Sequence, residues 1–161
     1  MKRAAFFLAA LFCILSLASC EREVDARHCE LGIILPAGFE KTEAPESFDL
    51  CYSDGTLTVG ISRMSYASAL EEEIPDSLTA RSFAALYSTR SGRTDARISD
   101  YGDAVYYTYV DKAEDGRLIR YTPTFYKTPY AYFIVTFVAE SSAITLEETL
   151  CHTANVYLEL D

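Results

Sequence analysis

Histidine, glycine and basic residues are all scarce in this chain, and each shortage removes a class of function. There are two histidines, His28 and His152, at opposite ends of the sequence, so neither a His-Glu-x-x-His metal motif nor a local nucleophile–base pair can be written. The 7 glycines mostly stand singly, with no Gly-rich phosphate loop and no Gly-x-Ser-x-Gly elbow. Lys and Arg number 14 against 24 Asp and Glu, a formal net charge of −10. A surface this acidic repels phosphate backbones and anionic head groups, which argues against nucleic-acid binding. No Cys-x-x-Cys occurs, and adjacent residues such as His28 and Cys29, or Cys151 and His152, point in different directions on a regular element. No metal site and no cofactor is expected. Carboxylates are abundant but form no catalytic motif, and the group Asp111, Glu114 and Asp115 lacks the ligand alternation of a calcium loop. The reading is therefore noncatalytic.

The one long apolar run, Ala4 to Leu17, is shorter than the roughly 20 residues that a helix needs to cross a bilayer. It follows Lys2 and Arg3 and ends in small residues before a cysteine, the three parts of an export signal. Leu17-Ala18-Ser19-Cys20 resembles the bacterial lipobox, in which a large aliphatic and two small residues precede the cysteine that receives diacylglycerol. The resemblance implies cleavage before Cys20, lipidation of Cys20, and an extracytoplasmic protein held to the bilayer by its acyl chains, either on the cell membrane or on an outer membrane. Two or three acyl chains give stable anchoring where one gives marginal attachment. Residues 1–19 are then a signal peptide, 20–28 a short polar tether, and 29–161 a single domain within a mature chain of 142 residues (161 less 19). Loss of Lys2 and Arg3 takes the charge to about −12 by the same count.

Export leaves the thiols of Cys29, Cys51 and Cys151 in an oxidising compartment, where one disulfide and one odd cysteine is the simplest outcome. Three pairings are arithmetically open. Cys29–Cys151, which would tie the ends of the domain together, is preferred.

Leu31 to Leu35 reads as a short strand closing at Pro36 and Gly38. Asp54-Gly55 predicts a two-residue hairpin loop pairing Ser53 with Thr56, Tyr52 with Leu57, Leu50 with Val59 and Phe48 with Ile61, which puts the apolar residues on one face. Residues 66–75 read as a connection with an acidic run, followed by a helix from Asp76 or Ser77 to Ser91 with Leu78, Phe83, Leu86 and Tyr87 inward. Strands are expected at 96–101, 104–110, 117–126 and 130–139, with a hairpin loop at 111–116. Pro123 predicts an edge or bulged strand, whereas 130–139 is apolar on both alternating faces and predicts a central one. Thr145 and Glu148 have capping-box spacing and predict a last helix from Thr145 to Leu158. The fold class is α+β, a largely antiparallel sheet with helices packed on it.

A strand ending in the Pro-x-Gly-Phe turn of Pro36 to Phe39, a hairpin, a helix, a Tyr-rich meander and a C-terminal helix together resemble the PsbP-like family. That family is an α-β-α sandwich whose roles are mostly docking and assembly. The resemblance covers about residues 30–160 and assigns no functional residue.

Tyrosine, with 12 copies, is the one unusual abundance. Cross-strand packing accounts for most of these rings. Alternation turns Tyr106 away from Tyr107 and Tyr109 and separates Tyr121 from Tyr126, so Tyr106, Tyr121 and Tyr126 are the candidate binding surface. The functional expectation is a lipid-anchored docking or assembly module of the cell envelope, with an envelope protein as partner. The alternative is a small-ligand or solute-binding lipoprotein, which predicts an apolar pocket with a few inward polar groups.

Overall fold

The computed structural model describes residues 31–158. The lipobox, Cys20, the tether and Cys29 therefore lie outside the described residues.

β9 (Ala131–Glu140) is the centre of the fold. Every residue from Ala131 to Phe137 is buried, so both faces of this strand need cover, as its unbroken apolar run predicts. β4 (Leu57–Ser65) and β8 (Leu118–Lys127) pair antiparallel with it on either side. Beyond β4 come β3 (Leu50–Ser53) and β2 (Glu40–Lys41). Beyond β8 come β6 (Ala104–Tyr106), β5 (Ser99–Tyr101) and, also pairing β8, β7 (Tyr109–Lys112). The eight strands form one antiparallel sheet. A separate two-stranded ribbon joins β1 (Leu31–Ile33) to β10 (Val156–Leu158).

Two cores lie on the two faces of the sheet. On one, α1 (Tyr66–Glu71) and α2 (Ala80–Arg90) bury Ala69, Phe83 and Ala84 against Tyr107, Phe125, Tyr132 and Ile134. The Phe83 ring stacks on Tyr132 at 4.2 Å. On the other, Leu57, Val59, Ile61, Val135 and Phe137 are covered by Leu31, Ile33, Phe39, Ile144 and Val156. The capped helix α3 (Leu146–Cys151) and the 3-10 turn His152–Asn155 lead into Val156. The fold is thus α+β, with a mostly antiparallel sheet and a few helices packed on it.

Four expectations change. The hairpin closes two residues later, with Ser53 opposite Thr58 and Tyr52 opposite Val59. The Asp54 carboxylate takes the amides of Thr56 and Leu57, each at 2.8 Å, which widens the loop. A slip of two preserves the faces of Leu50 and Tyr52, but Phe48 leaves the strand and lies over Gly60, where a Cβ would stand 2.6 Å from its ring. The segment 66–75 holds α1, capped by Ser65, and the next helix begins only after Thr79, whose hydroxyl accepts from the Ser82 amide.

Pro123 lies inside the sheet, between β9 and β6–β7. Tyr107 N donates to its carbonyl, so the missing Pro N–H falls at Tyr107–Thr108, where β6 gives way to β7. The C-terminal helix stops at Cys151, and Val156–Leu158 forms β10 instead. Pairing with β1 overrides the helical period there. The Tyr157 ring occupies the space that a side chain at Gly32 would need.

Phe83→Ala removes the ring that joins α2 to Tyr132 and Phe125, so it should cost about 3–5 kcal/mol in urea unfolding. A loss under about 1 kcal/mol would contradict this packing.

Candidate functional site: an uncharged aromatic cleft

α2 has 11 residues, about 16 Å of helix, too short to cover the whole of its sheet face. Past its end at Ser91 the uncovered sheet forms a cleft of about 310 Å³. Its floor is Pro123 of β8 with Ile134 and Thr136 of β9. Tyr87 and Ser91 stand at the helix end. Tyr107, Tyr109 and Tyr121 form the meander wall, and Ser47, Phe48 and Ser62 form the wall by β3 and β4.

The register fixes this wall of rings. Tyr109 is directly opposite Tyr121, so both point to the same face, and their rings lie parallel within 8° at 5.0 Å. Tyr107 continues the stack at 6.0 Å from Tyr109 and 5.7 Å from the buried Phe125. The cleft wall is thereby an extension of the α2 core and shares its rigidity. The Arg93 guanidinium lies 4.0 Å over the Tyr109 ring, covering a face of it, and is held by Asp111 at 2.5 Å.

No Asp, Glu, Lys, Arg or His lines the cleft. Among its phenols, burial pushes Tyr109 up to about 12 and raises Tyr87 and Tyr107 in the same direction. At neutral pH the lining is a set of aromatic rings and neutral hydroxyls. Such a site can stack on and hydrogen-bond a ligand, but it holds no nucleophile–base pair.

The proposed surface of Tyr106, Tyr121 and Tyr126 is split. Tyr121 faces the cleft, while Tyr106, opposite Thr124, and Tyr126, opposite Phe133, point to the other face of the sheet. The Tyr126 hydroxyl is buried with no hydrogen bond of good geometry, and burial pushes its pKa up to about 12 against a smaller opposing effect of Thr124 on the same face. Single-strand alternation separated these rings but left open which rings converge, since that needs the β7–β8 register. Tyr107 is buried in the α2 core with Tyr109 packed against it, on the opposite face from Tyr106 as alternation predicts, but the sequence reading did not see that these two, with Phe48 and Tyr87, also line a cleft. The i, i+2 pair Tyr107 and Tyr109 facing Tyr121 across the hairpin at 111–116 was the available signal.

Cys151 is exposed on α3, its Sγ 3.7 Å from the Tyr101 hydroxyl, and Cys51 is buried in β3. The preferred partner of Cys151, Cys29, lies outside the described residues. The acidic loop at 111–116 is tied up by cations: Asp111 by Arg93, and Asp115 by Arg117 at 2.7 Å. Among the described residues, no three His, Cys, Asp or Glu side chains are grouped to hold a metal, and no helix is long and apolar enough to cross a membrane.

No family model matches the chain, and no curated protein matches it. A solved structure does. The chain is similar to a protein from Bacteroides thetaiotaomicron VPI-5482 whose crystal structure is at 1.50 Å resolution, with a TM-score of 0.55 and 12% identity. The match covers 84% of this chain and 47% of that one, so the chain spans less than half of its neighbour's length. At this identity the likeness is one of fold alone.

An unpaired buried hydroxyl costs about 1–3 kcal/mol, so Tyr126→Phe should leave stability unchanged or raise it. A loss above about 1 kcal/mol on urea unfolding would show that the hydroxyl has a partner. Tyr109 and Tyr126 resist ionisation only when folded. Their contribution to stability is therefore complete below the unfolded tyrosine value of about 10 and is lost as pH rises through about 12. Phenolate absorbance should accordingly rise in two phases, the later one coinciding with unfolding. A single phase completed while the fold is intact would contradict their burial.

Proposed function

We propose that this protein is a noncatalytic binding protein, carried outside the cell on a lipidated Cys20, with the aromatic cleft as a small-ligand site. The cleft supports the reading. Its volume of about 310 Å³ is at the lower end of small-molecule sites, and it sits on packed strands with ring faces and a few hydroxyls inward. The three-ring patch that favoured docking is divided between two faces of the sheet. Docking keeps one observation in its favour: Leu70 of α1 is 72% exposed and walls an apolar hollow with Tyr66, Ala67 and Pro75. An envelope protein is the partner on that second reading. A likeness to the PsbP-like family would fit either reading.

Lipid attachment is tested by feeding cells an alkynyl fatty acid. The wild type should carry label and Cys20→Ala should not; label retained by Cys20→Ala would contradict the anchor. The cleft is tested by ligand-observed NMR of the whole protein in nanodiscs against a library of neutral small molecules. Hits that vanish with Tyr109→Ala would support the site, and a library without hits would contradict it.

A further inference from the structure

We infer that the aromatic cleft takes a neutral saccharide. This rests on the cleft being a ligand site and names the chemistry of what enters it. The absence of charge is the first observation. Asp and Glu number 24 in the chain, yet none lines the cleft, and the guanidinium over Tyr109, that of Arg93, is already paired with Asp111. An ionic ligand would lose its hydration and find no counter-charge.

The second observation excludes a purely apolar ligand. Ser47, Ser62, Ser91 and Thr136 line the space beside the phenols, and each hydroxyl is both donor and acceptor. Ser62 and Ser91 already donate to the carbonyls of Ser47 and Tyr87, but an apolar occupant would strip water from Ser47 and Thr136, at about 1–3 kcal/mol each. None of the lining hydroxyls is among those now buried without a partner, a state found at Tyr126 and Ser141.

The remaining class carries an apolar face and a rim of neutral hydroxyls on one small rigid body. A pyranose ring does so: its axial C–H bonds lie on an aromatic face while its equatorial hydroxyls reach sideways to Ser and Thr. Tyr107 is buried and Tyr109 is covered by Tyr121 and Arg93, so Tyr121 is the ring of the stack that meets a ligand, and its hold through Tyr109 and Tyr107 on the buried Phe125 limits the side-chain entropy lost on binding. The open cleft holds about 310 Å³, room for a body the size of one sugar ring, and a proline-rich peptide, which also favours aromatic walls, is the competing occupant that the test includes.

The test is saturation-transfer NMR on the full chain in nanodiscs. The probes are glucose, galactose, N-acetylglucosamine, maltose and cellobiose, with glucuronate and glucosamine as charged controls. Benzyl alcohol and a proline-rich decapeptide are the remaining probes. At least one neutral sugar should receive saturation on its C–H protons. Its affinity should fall about tenfold in Tyr121→Ala and much less in Tyr121→Phe, with near-UV circular dichroism confirming that both variants fold. Should Tyr121→Ala fail to fold, Thr136→Val replaces it and should weaken the same sugar. Preference for the charged sugars, or binding of benzyl alcohol or the peptide alone, would overturn the saccharide assignment and leave the cleft as a ligand site. Sugar binding unchanged in the variants would also overturn the assignment. If no probe binds and the neutral library has no hits either, the ligand-site reading falls with it.

Discussion

The arrangement depends on one strand that cannot face water on either side. β9 is buried without a break from Ala131 to Phe137, so β4 and β8 must flank it and both faces must be covered. One face is closed by α1 and α2, with Phe83 wedged against Tyr132 and Phe125. The other is closed by the ribbon of β1 and β10 and by the segment through Ile144. Neither cover would hold alone: three-residue strands such as β1 and β10 gain little from their own hydrogen bonds and depend on burying Ile33 and Val156.

The candidate site is the place where that cover runs out. α2 ends at Arg90 before the helix face of the sheet does, and tyrosines fill the gap in place of another helix turn. Aromatic rings suit the position because one edge extends the core while the hydroxyl edge tolerates water. The stack from Phe125 through Tyr107 and Tyr109 to Tyr121 therefore joins a stability element to a recognition surface. The cleft is uncharged because no acidic or basic side chain lines it, and burial pushes the Tyr109 phenol still further from ionisation.

The parts of this fold legible in the sequence are those set by local pattern. The unbroken run at 130–139 announced a strand covered twice, and the Thr145/Glu148 spacing announced a real capping box. Illegible were the features set by pairing partners far away in sequence. Val156–Leu158 continues a helical period and becomes a strand only because β1 is beside it. Pro123 signals an edge, yet it is accommodated inside because β6 and β7 part company opposite it. The hairpin at Asp54 kept its faces but lost its register to a side-chain bond from that same aspartate. The cleft shared this fate: each ring's alternation was readable on its own strand, but convergence of Tyr109 on Tyr121 depends on a register the sequence does not state.

The central claim is that the cleft is a ligand site, and the most direct measurement is the mass of what the protein already carries. Lipidated protein purified gently from its own cells is denatured, and the released small molecules are weighed beside those from a Tyr109→Ala, Tyr121→Ala double variant. The account predicts a neutral compound, in substantial proportion to protein, from the wild type and its loss from the variant. The same compound released equally by both, or no small molecule from either, would contradict it.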